Sequence, residues 1–195
     1  MLSRTVVPIV IGSGESSGPL YPPQPMNETL FSCDEAMAYA YADAGNLTAH
    51  DIDFFGLYDC FPICLVRALE AAGICGKGKG GEYLEDQYHR LMNAMVEEQQ
   101  QQQQHAKPAQ SSLLLSSPVN TLLRDPSFFP INTHGGLLCY GAPWEVPAMY
   151  NIIEAVHQIR GTAKGRQVKN CRRALVYGNG GIFSASSVAI LAKSL

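Results

Sequence analysis

Side chains that can transfer protons or attack a carbonyl carbon occur in three short segments. Residues 58–61 read Tyr-Asp-Cys-Phe, residues 132–136 read Asn-Thr-His-Gly-Gly, and residues 177–181 read Tyr-Gly-Asn-Gly-Gly. Tyrosine and histidine act as general acids or bases, a thiol can also be a nucleophile, and glycines let backbone N–H groups approach an oxyanion. The first two segments are predicted to be two walls of one active-site-like pocket. Each residue alone is a weaker signal, because a lone histidine is as often structural and a buried tyrosine usually only satisfies a hydrogen bond.

The first elements predicted along the chain are a strand and a helix. Residues 5–11 form a β-branched run that predicts a buried strand, ended by a turn at residues 12–14. Ser32 is expected to cap the helix, with Glu35 as its partner in a capping box, and Gly45 is expected to stop it. Strands and helices continue to alternate beyond this point, which predicts an α/β layered fold.

The first chemistry-bearing segment is predicted to be the corner between a strand and a helix. Residues 54–58 read as a buried strand, and Pro62 fits the first turn of a helix that ends at Gly73. This order places Cys60 near the positive end of a helix, where a thiolate is favoured. Loops at strand ends are where α/β folds hold their sites.

The second half of the chain predicts one further helix and a hairpin. The helix begins at Pro147 and ends at Gly161. Its inner side is predicted to carry Ile152, Ile153, Val156 and Ile159. Residues 174–177 and 182–191 predict two strands of a hairpin that completes a sheet, with residues 178–181 as the turn.

The length of 195 residues suits a single domain, residues 1–195, that carries an insertion. Residues 82–98 have helical character, and six glutamines follow at residues 99–104. Because the chain stays low in complexity beyond them, residues 82–127 are predicted to be a low-complexity and helical insertion that is partly disordered and carries no chemistry.

Composition argues against several classes of function. The net charge of −3 gives no general attraction to nucleic acid. The six cysteines lack the paired spacing of a zinc site, so no metal is predicted. No run approaches the roughly 18 apolar residues of a membrane span, and no targeting signal is visible. The cytoplasm or an organelle matrix, mitochondrial or peroxisomal, is therefore expected.

In their order and spacing, the three segments resemble the carboxy-terminal half of the thiolase superfamily, in the branch of sterol carrier protein-linked thiolases and lipid-transfer proteins. The resemblance runs from about residue 26 to residue 191, interrupted by the glutamine-rich insertion. It implies a thiolase-like C-terminal half-domain of the α/β class, with a layered mixed sheet, a buried helix and outer helices. It also implies acyltransferase chemistry on acyl-CoA: Claisen condensation, or its thiolytic reverse, on a 3-ketoacyl-CoA or sterol-side-chain type substrate. Coenzyme A thioester would be the substrate, with no bound cofactor.

The resemblance also implies roles for individual residues. The catalytic candidates are Tyr58, Cys60, His134 and Tyr177, and the substrate-binding candidates are Asp59, Phe61, Asn132, Gly135, Gly136, Gly178, Asn179 and Gly180. In the sterol carrier protein-linked branch, a cysteine of the first segment is thought to supply acid/base function. Cys60 matches that cysteine, although Tyr58 replaces the histidine that precedes it in the branch.

Departures from the thiolase pattern argue against autonomous thiolase activity. The nucleophilic cysteine of the family lies in its amino-terminal half, which has no counterpart here. Residues 141–143 read Gly-Ala-Pro where active thiolases have Gly-His-Pro, and residues 178–180 read Gly-Asn-Gly where the family has Cys-x-Gly. Catalytic residues act as a unit, so such losses cost many orders of magnitude in rate. The chain is expected to be incomplete or inactive alone.

Two alternatives stay open. Thiolase-fold aldolases that cleave β-hydroxyacyl-CoA side chains of steroids need no acyl-cysteine, and Tyr58, His134 and Tyr177 occupy places comparable to their tyrosines and histidine. The other alternative is a non-catalytic subunit that binds acyl-CoA or lipid, or serves as a scaffold. An isolated half would expose apolar helix surface, so a homo-oligomer or a separate thiolase amino-terminal half is the expected partner.

Overall fold

Four strands and five α-helices are found in the part of the chain that the computed structural model describes, which is residues 6–21, 25, 27, 31–105, 125–142 and 146–194. In chain order they are β1 (Pro8–Ser17), α1 (Ser32–Asp43), β2 (Phe54–Gly56), α2 (Pro62–Ala71), α3 (Gly80–His105), α4 (Gly136–Tyr140), α5 (Pro147–Arg160), β3 (Arg173–Gly180) and β4 (Ala185–Lys193). The predicted α/β class is confirmed.

The strands form one mixed sheet in the order β1-β4-β3-β2. β4 is antiparallel to both of its neighbours, and β2 runs parallel to β3. Parallel strands end at the same edge of a sheet. The corner that follows β2 and the glycine-rich end of β3 therefore lie side by side.

Helices cover both faces of the sheet. Side chains of a strand alternate between faces, and in β3 Leu175 and Tyr177 pack into the core formed with α1 and α2. Ala174 and Val176 point the other way, into the core formed with α5. The result is the helix–sheet–helix layering expected of the half-domain.

β1 differs from its prediction, because it continues through residues 12–14 to Ser17 instead of turning there. A Cβ atom on Gly14 would overlap the carbonyl oxygen of Ala36, and one on Gly12 would lie 2.7 Å from the carbonyl oxygen of Ala40. The glycines allow α1 to lie directly on β1. They mark a close approach of two elements, not a turn.

The start of α1 also differs from its prediction. Phe31, not Ser32, is the N-cap residue. The Ser32 hydroxyl is buried and donates to the carbonyl oxygen of Phe183, at 2.7 Å, beside the hydroxyl of Ser186. The proposed capping box with Glu35 is therefore wrong, because the serine is used to join α1 to the end of the β3–β4 hairpin.

α5 has the predicted ends, since Pro147 is its first residue and Gly161 its left-handed C-cap. Three of the four predicted inner residues face the core, since Ile159 is buried and Ile152 and Val156 pack against the same cluster. Ile153 does not, because it is 50% exposed. Asn151, Glu154 and Gln158 are buried on the inner side as well.

Hydrogen bonds explain how Glu154 and Gln158 occupy the inner side of α5, whereas neither side-chain polar atom of Asn151 has a partner among the described residues. Glu154 accepts from the hydroxyl of Thr133 (2.7 Å) and from the guanidinium of Arg166 (2.9 Å). Gln158 donates to the hydroxyl of Thr133 (3.0 Å) and accepts from the backbone of Val168 (2.7 Å). Buried polar groups are tolerated when they are paired in this way. Apolar periodicity alone does not reveal such a network.

The hairpin of β3 and β4 is present, but its strands are displaced from the predicted bounds. Residues 178–180 belong to β3 and pair with residues 185–187 of β4, so the turn lies at residues 181–184. The glycines of β3 are thus strand residues. Of the predicted insertion, α3 contains the glutamines up to residue 104, and residues 106–124 lie outside the described residues.

Candidate functional site

The side chain of Asn132 joins the first two chemistry-bearing segments. Its Oδ1 accepts a hydrogen bond from the backbone N–H of Leu57 (2.7 Å), and its Nδ2 donates to the Leu57 carbonyl oxygen (2.8 Å). Leu57 is fully buried, so these bonds satisfy backbone groups that water does not reach. Asn132 adopts a φ of 47°, which asparagine tolerates better than most residues. Asn132 therefore positions the segment, while substrate binding by it stays a prediction.

A second link runs from Asp59 to the start of α4. The buried carboxylate of Asp59 accepts a hydrogen bond from the backbone N–H of Leu137 (2.7 Å). Gly136 has a φ of 62°, and a Cβ atom there would overlap both carboxylate oxygens of Asp59. Glycine is thus required at residue 136 for this approach. Gly135 precedes it as the left-handed N-cap, and the predicted substrate contacts of these three residues stay predictions.

A cavity of about 520 Å³ lies where the parallel strands β2 and β3 end. It is lined by Glu15, Tyr58, Pro147, Ala148, Gly178, Asn179, Gly180, Gly181, Ala185, Ser186 and Ser187. The carboxyl ends of parallel strands are the usual place for a site in an α/β fold. Tyr58 and residues 178–180 thus share one cavity. The segment 132–136 does not line the cavity. It holds the corner after β2 through the hydrogen bonds of Asn132 to Leu57.

Two features of the cavity can stabilise a developing negative charge, whereas the acidic side chain of Glu15 acts against it. Burial raises the pKa of Tyr58, and Cys60, Cys64 and Asp59 raise it further. The phenol is therefore protonated at neutral pH and can donate a hydrogen bond. The first residues of the 14-residue helix α5 face the same cavity, and the N-terminal end of a helix carries partial positive charge. An enolate oxygen is the kind of charge that these two features stabilise together.

Tyr177 does not itself line this cavity, although its hydroxyl group contacts two residues that do. The side chain is fully buried, with its oxygen 3.3 Å from the hydroxyl of Ser186 and 3.4 Å from Oδ1 of Asn179. Burial raises the pKa of Tyr177. Residues 178–181, which follow Tyr177, line the cavity, and catalysis by Tyr177 stays a prediction.

His134 lies on the loop before α4 and does not line the cavity that Tyr58 lines. Neither of its ring nitrogens, both buried, has a hydrogen-bond partner among the described residues. Burial lowers the pKa of His134 although the charges of Glu154 and Asp59 act in the opposite direction, so the imidazole is neutral at neutral pH. The ring of Tyr140 lies 6.1 Å away, centroid to centroid. A neutral imidazole can donate from one nitrogen and accept at the other, and its catalytic role stays a prediction.

Cys60 and Cys64 lie beside the cavity without lining it. Their sulfur atoms are 3.5 Å apart. Burial, together with Cys60, raises the pKa of Cys64 to about 11, so Cys64 is a protonated thiol. Phe61, between them in sequence, is 66% exposed.

Several cavity-lining residues were not predicted as site residues: Glu15, Ala148, Ser186 and Ser187. The small side chains of residues 184–187 could have indicated that Ser186 and Ser187 lie at a cavity, because a strand that begins with small residues leaves space beside it. Nothing in the local pattern of β1 places Glu15 at this edge.

Neither a metal centre nor a membrane helix is found where the structure describes the chain. Its histidine, cysteine, aspartate and glutamate side chains form no group of three or more that is arranged to hold a metal ion. No helix of this part is both long and apolar enough to cross a bilayer.

Two solved structures share the fold over nearly the whole chain. The Ltp2-ChsH2(DUF35) aldolase matches with a TM-score of 0.64 and 22% identity, covering 95% of this chain and 39% of the other. A monomeric SCP2-thiolase like protein type 1 from Mycobacterium smegmatis matches with a TM-score of 0.55 and 20% identity, covering 95% and 29%. The likeness establishes a shared fold.

Relatives by sequence include two proteins longer than this chain. The acetyl-CoA acetyltransferase of Methanothermobacter thermautotrophicus is 26% identical over 147 residues, which is 75% of this chain and 30% of the relative. Sterol carrier protein 2 of Oryctolagus cuniculus is 27% identical over 156 residues, which is 80% of this chain and 22% of the relative. The chain therefore spans less than a third of the length of either relative.

The family described as thiolase C-terminal domain-like matches residues 23–100 and 120–193. The two ranges include all three chemistry-bearing segments and leave out residues 101–119, which fall inside the predicted insertion. Because the match covers well over half of the sequence, this chain belongs to the thiolase C-terminal domain-like family.

Proposed function

We propose that this chain supplies one wall of the active site of a thiolase-fold enzyme that breaks or forms a carbon–carbon bond beside the thioester of an acyl-coenzyme A. Retro-aldol cleavage of a β-hydroxyacyl-CoA suits its residues best. The observation that carries the proposal is that Tyr58 lines the cavity at the ends of β2 and β3 together with Gly178, which by resemblance stands where thiolases carry their late acid/base cysteine. Thiolytic acyl transfer uses that cysteine in addition to a nucleophilic one, whereas retro-aldol cleavage needs neither.

Retro-aldol cleavage needs stabilisation of an enolate. The β-hydroxyl group loses its proton, the bond between the α and β carbons breaks, and its electron pair remains on the acyl-CoA as an enolate that then takes up a proton. In this proposal the protonated phenol of Tyr58, which lines the cavity, hydrogen-bonds to the enolate oxygen or protonates the α carbon. The N-terminal end of α5 stabilises the same charge.

Similarity to known proteins supports the same chemistry. The Ltp2-ChsH2(DUF35) aldolase shares the fold of 95% of this chain. By resemblance to thiolases, Ala142 and Gly178 stand where a histidine and a cysteine serve acyl transfer. Both replacements remove groups that retro-aldol cleavage does not use, and a sterol-side-chain type of acyl-CoA is the proposed substrate class.

The remaining walls of the site would come from an amino-terminal thiolase half that packs on α5. Val146, Met149 and Ile153 are 44%, 51% and 50% exposed. Their spacing of three and four residues puts them on one side of the helix. An exposed apolar row of this kind is typical of an interface, and a second copy of the chain is the alternative occupant.

The test uses the chain co-expressed with a thiolase amino-terminal half and purified as a complex. A 3-hydroxyacyl-CoA with a tertiary hydroxyl group is supplied, and the released shorter acyl-CoA is measured by chromatography. Tyr58→Phe is expected to lower kcat about 100-fold or more, because it removes the acid but leaves the cavity intact. Tyr21→Phe, at a tyrosine that is 78% exposed, is the matched control and should leave kcat unchanged.

Unchanged turnover in the Tyr58→Phe complex would refute the assignment. Thiolysis of a 3-ketoacyl-CoA without retro-aldol cleavage would favour acyl transfer. Binding of acyl-CoA with neither reaction would favour the non-catalytic binding or scaffold subunit.

Acyl transfer is the second candidate function. Its support is the acetyl-CoA acetyltransferase that is 26% identical to this chain, together with Cys60, which lies beside Tyr58 as the cysteine of the sterol carrier protein-linked branch does. In this case Cys60→Ser would abolish thiolysis, whereas the proposed retro-aldol cleavage would persist.

A further inference from the structure

The sulfur atoms of Cys60 and Cys64 lie close to each other. All six cysteines belong to the described part of the chain, and this is the pair in contact. The two sulfurs lie 3.5 Å apart. A disulfide bond is about 2.05 Å long, so the sulfurs need to move roughly 1.5 Å closer. Cys60 lies in the connection between β2 and α2, so its side chain can turn without breaking a hydrogen bond of either element.

The two thiols differ in a way that suits successive reaction steps. Cys60 is half-buried, while Cys64 is only 7% exposed. An oxidant from solvent therefore meets Cys60 first. Cys64 lies in the first turn of α2 with its proton retained at neutral pH, next to the sulfur on which the first product forms. An accessible thiol beside a second, resolving thiol is the arrangement of redox-sensitive pairs.

We propose that Cys60 and Cys64 form a modification site, a dithiol that hydroperoxides oxidise to an intramolecular disulfide. The existence of this site does not rest on the function proposed above. The Cys60 thiolate attacks the outer peroxide oxygen and the O–O bond breaks, which gives a sulfenic acid and releases an alcohol, or water from hydrogen peroxide. The Cys64 sulfur then attacks the Cys60 sulfur, the S–O bond breaks, and water leaves. Two thiols supply the two electrons that reduce one hydroperoxide.

Oxidation changes the surroundings of Tyr58. Both thiols lie close enough to contribute to the raised pKa of Tyr58, and a disulfide carries no ionisable proton. It also fixes the corner before α2 to the first turn of that helix. The redox state of the pair is therefore coupled to the wall of the cavity at the ends of β2 and β3.

The other cysteines supply internal controls. Cys33 and Cys171 are buried, and Cys139 is exposed without a second sulfur in contact. A hydroperoxide that merely selects exposed thiols would react with Cys139. A hydroperoxide that selects the dithiol would react at residues 60 and 64.

The test uses the full chain, reduced and then treated with one equivalent of hydrogen peroxide. The free thiols should fall from six to four, and the intact mass should fall by about 2 Da. In tandem mass spectrometry, backbone fragments between residues 60 and 64 should be missing and should return after reduction. Cys60 should be consumed about tenfold faster than Cys139.

Single substitutions separate the two steps. In Cys64→Ser the sulfenic acid on Cys60 should persist and be trapped by dimedone, whereas Cys60→Ser should lose the fast reaction. Cys139→Ser should behave like the wild-type chain. Retention of all six thiols, preferential loss of Cys139, or links between chains would overturn the proposal. The wild-type measurement decides it even where a variant does not fold.

Discussion

Replacing Asn132 removes both hydrogen bonds that hold the segment 132–136 to the corner after β2. The Leu57 N–H and carbonyl groups that Asn132 contacts at 2.7 and 2.8 Å are buried. In Asn132→Ala both groups lose their partner. Asn132→Asp keeps the acceptor for the N–H group and loses only the donor to the carbonyl oxygen.

The size of each effect follows from these bonds. A buried backbone group left without a partner costs about 1–3 kcal/mol. An alanine held at the φ of 47° adds about 1 kcal/mol. Asn132→Ala is therefore expected to lower the free energy of unfolding by about 3–7 kcal/mol, and Asn132→Asp by about 1–3 kcal/mol.

Urea unfolding followed by far-ultraviolet circular dichroism measures these differences. Asn46→Ala is the matched control, since Asn46 is exposed and has a φ of 62°. Asn46→Ala places an alanine at a similar positive φ but leaves the Leu57 backbone groups with their hydrogen-bond partners. It should therefore lower the free energy of unfolding by about 1 kcal/mol. If Asn132→Ala falls within about 0.5 kcal/mol of the control, the two hydrogen bonds do not hold the segment and the reasoning is wrong.

Three further predictions concern the same region. Gly136→Ala should lower the free energy of unfolding by about 2–4 kcal/mol, because the added methyl group overlaps the Asp59 carboxylate. Gly161→Ala, which has nothing within 4 Å of the added atom, should lower it by only about 1 kcal/mol. Equal losses of thermal stability in the two variants would contradict this prediction. Burial raises the pKa of Glu154, but hydrogen bonds from Arg166, Thr133 and Gln158 outweigh it, so the folded pKa is below the ordinary 4.5. The stabilisation from the Glu154 carboxylate is present above pH 4.5 and is lost as the pH falls through the lowered pKa. The free energy of unfolding of the wild type should therefore drop more steeply than that of Glu154→Gln between about pH 5 and pH 3. Parallel curves of unfolding free energy against pH would exclude this contribution. The pKa of His134 is lowered by burial itself, because burial disfavours the protonated, charged imidazole. Stability should therefore fall as the pH drops below the ordinary value of 6.5, and His134→Asn should weaken that fall. A nuclear magnetic resonance titration of the His134 ring at or above 6.5 would refute the assignment.

Local signals predicted the ends of elements well. Pro62 and Pro147 begin their helices, and Gly161 ends α5, because each of these residues acts through its own backbone. Residues 12–14 show the limit of such signals. Their glycines were expected to form a turn, yet they are required by the approach of α1, which follows many residues later in the chain.

The candidate site was predictable only in part for the same reason. Tyr58 and residues 178–180 line one cavity, as expected of loops at the ends of neighbouring strands. The segment 132–136 has a structural role instead. Asn132 accepts a hydrogen bond from the backbone N–H of Leu57, and the Thr133 hydroxyl donates one to Glu154 of α5. Those partners are distant in sequence, so residue type and spacing did not reveal them.

The order of strands in the sheet has a consequence for how the chain folds. β1 pairs with β4 along its length, from Pro8 opposite Lys193 to Ser17 opposite Ala185. The ribosome makes β4 after every other described element. Contacts of such sequence separation are slow to form, and an unpaired strand is prone to aggregate meanwhile. The nascent chain must therefore hold β1 without its partner until synthesis has passed β4, and a chaperone that covers β1 during this interval should raise the yield of folded protein.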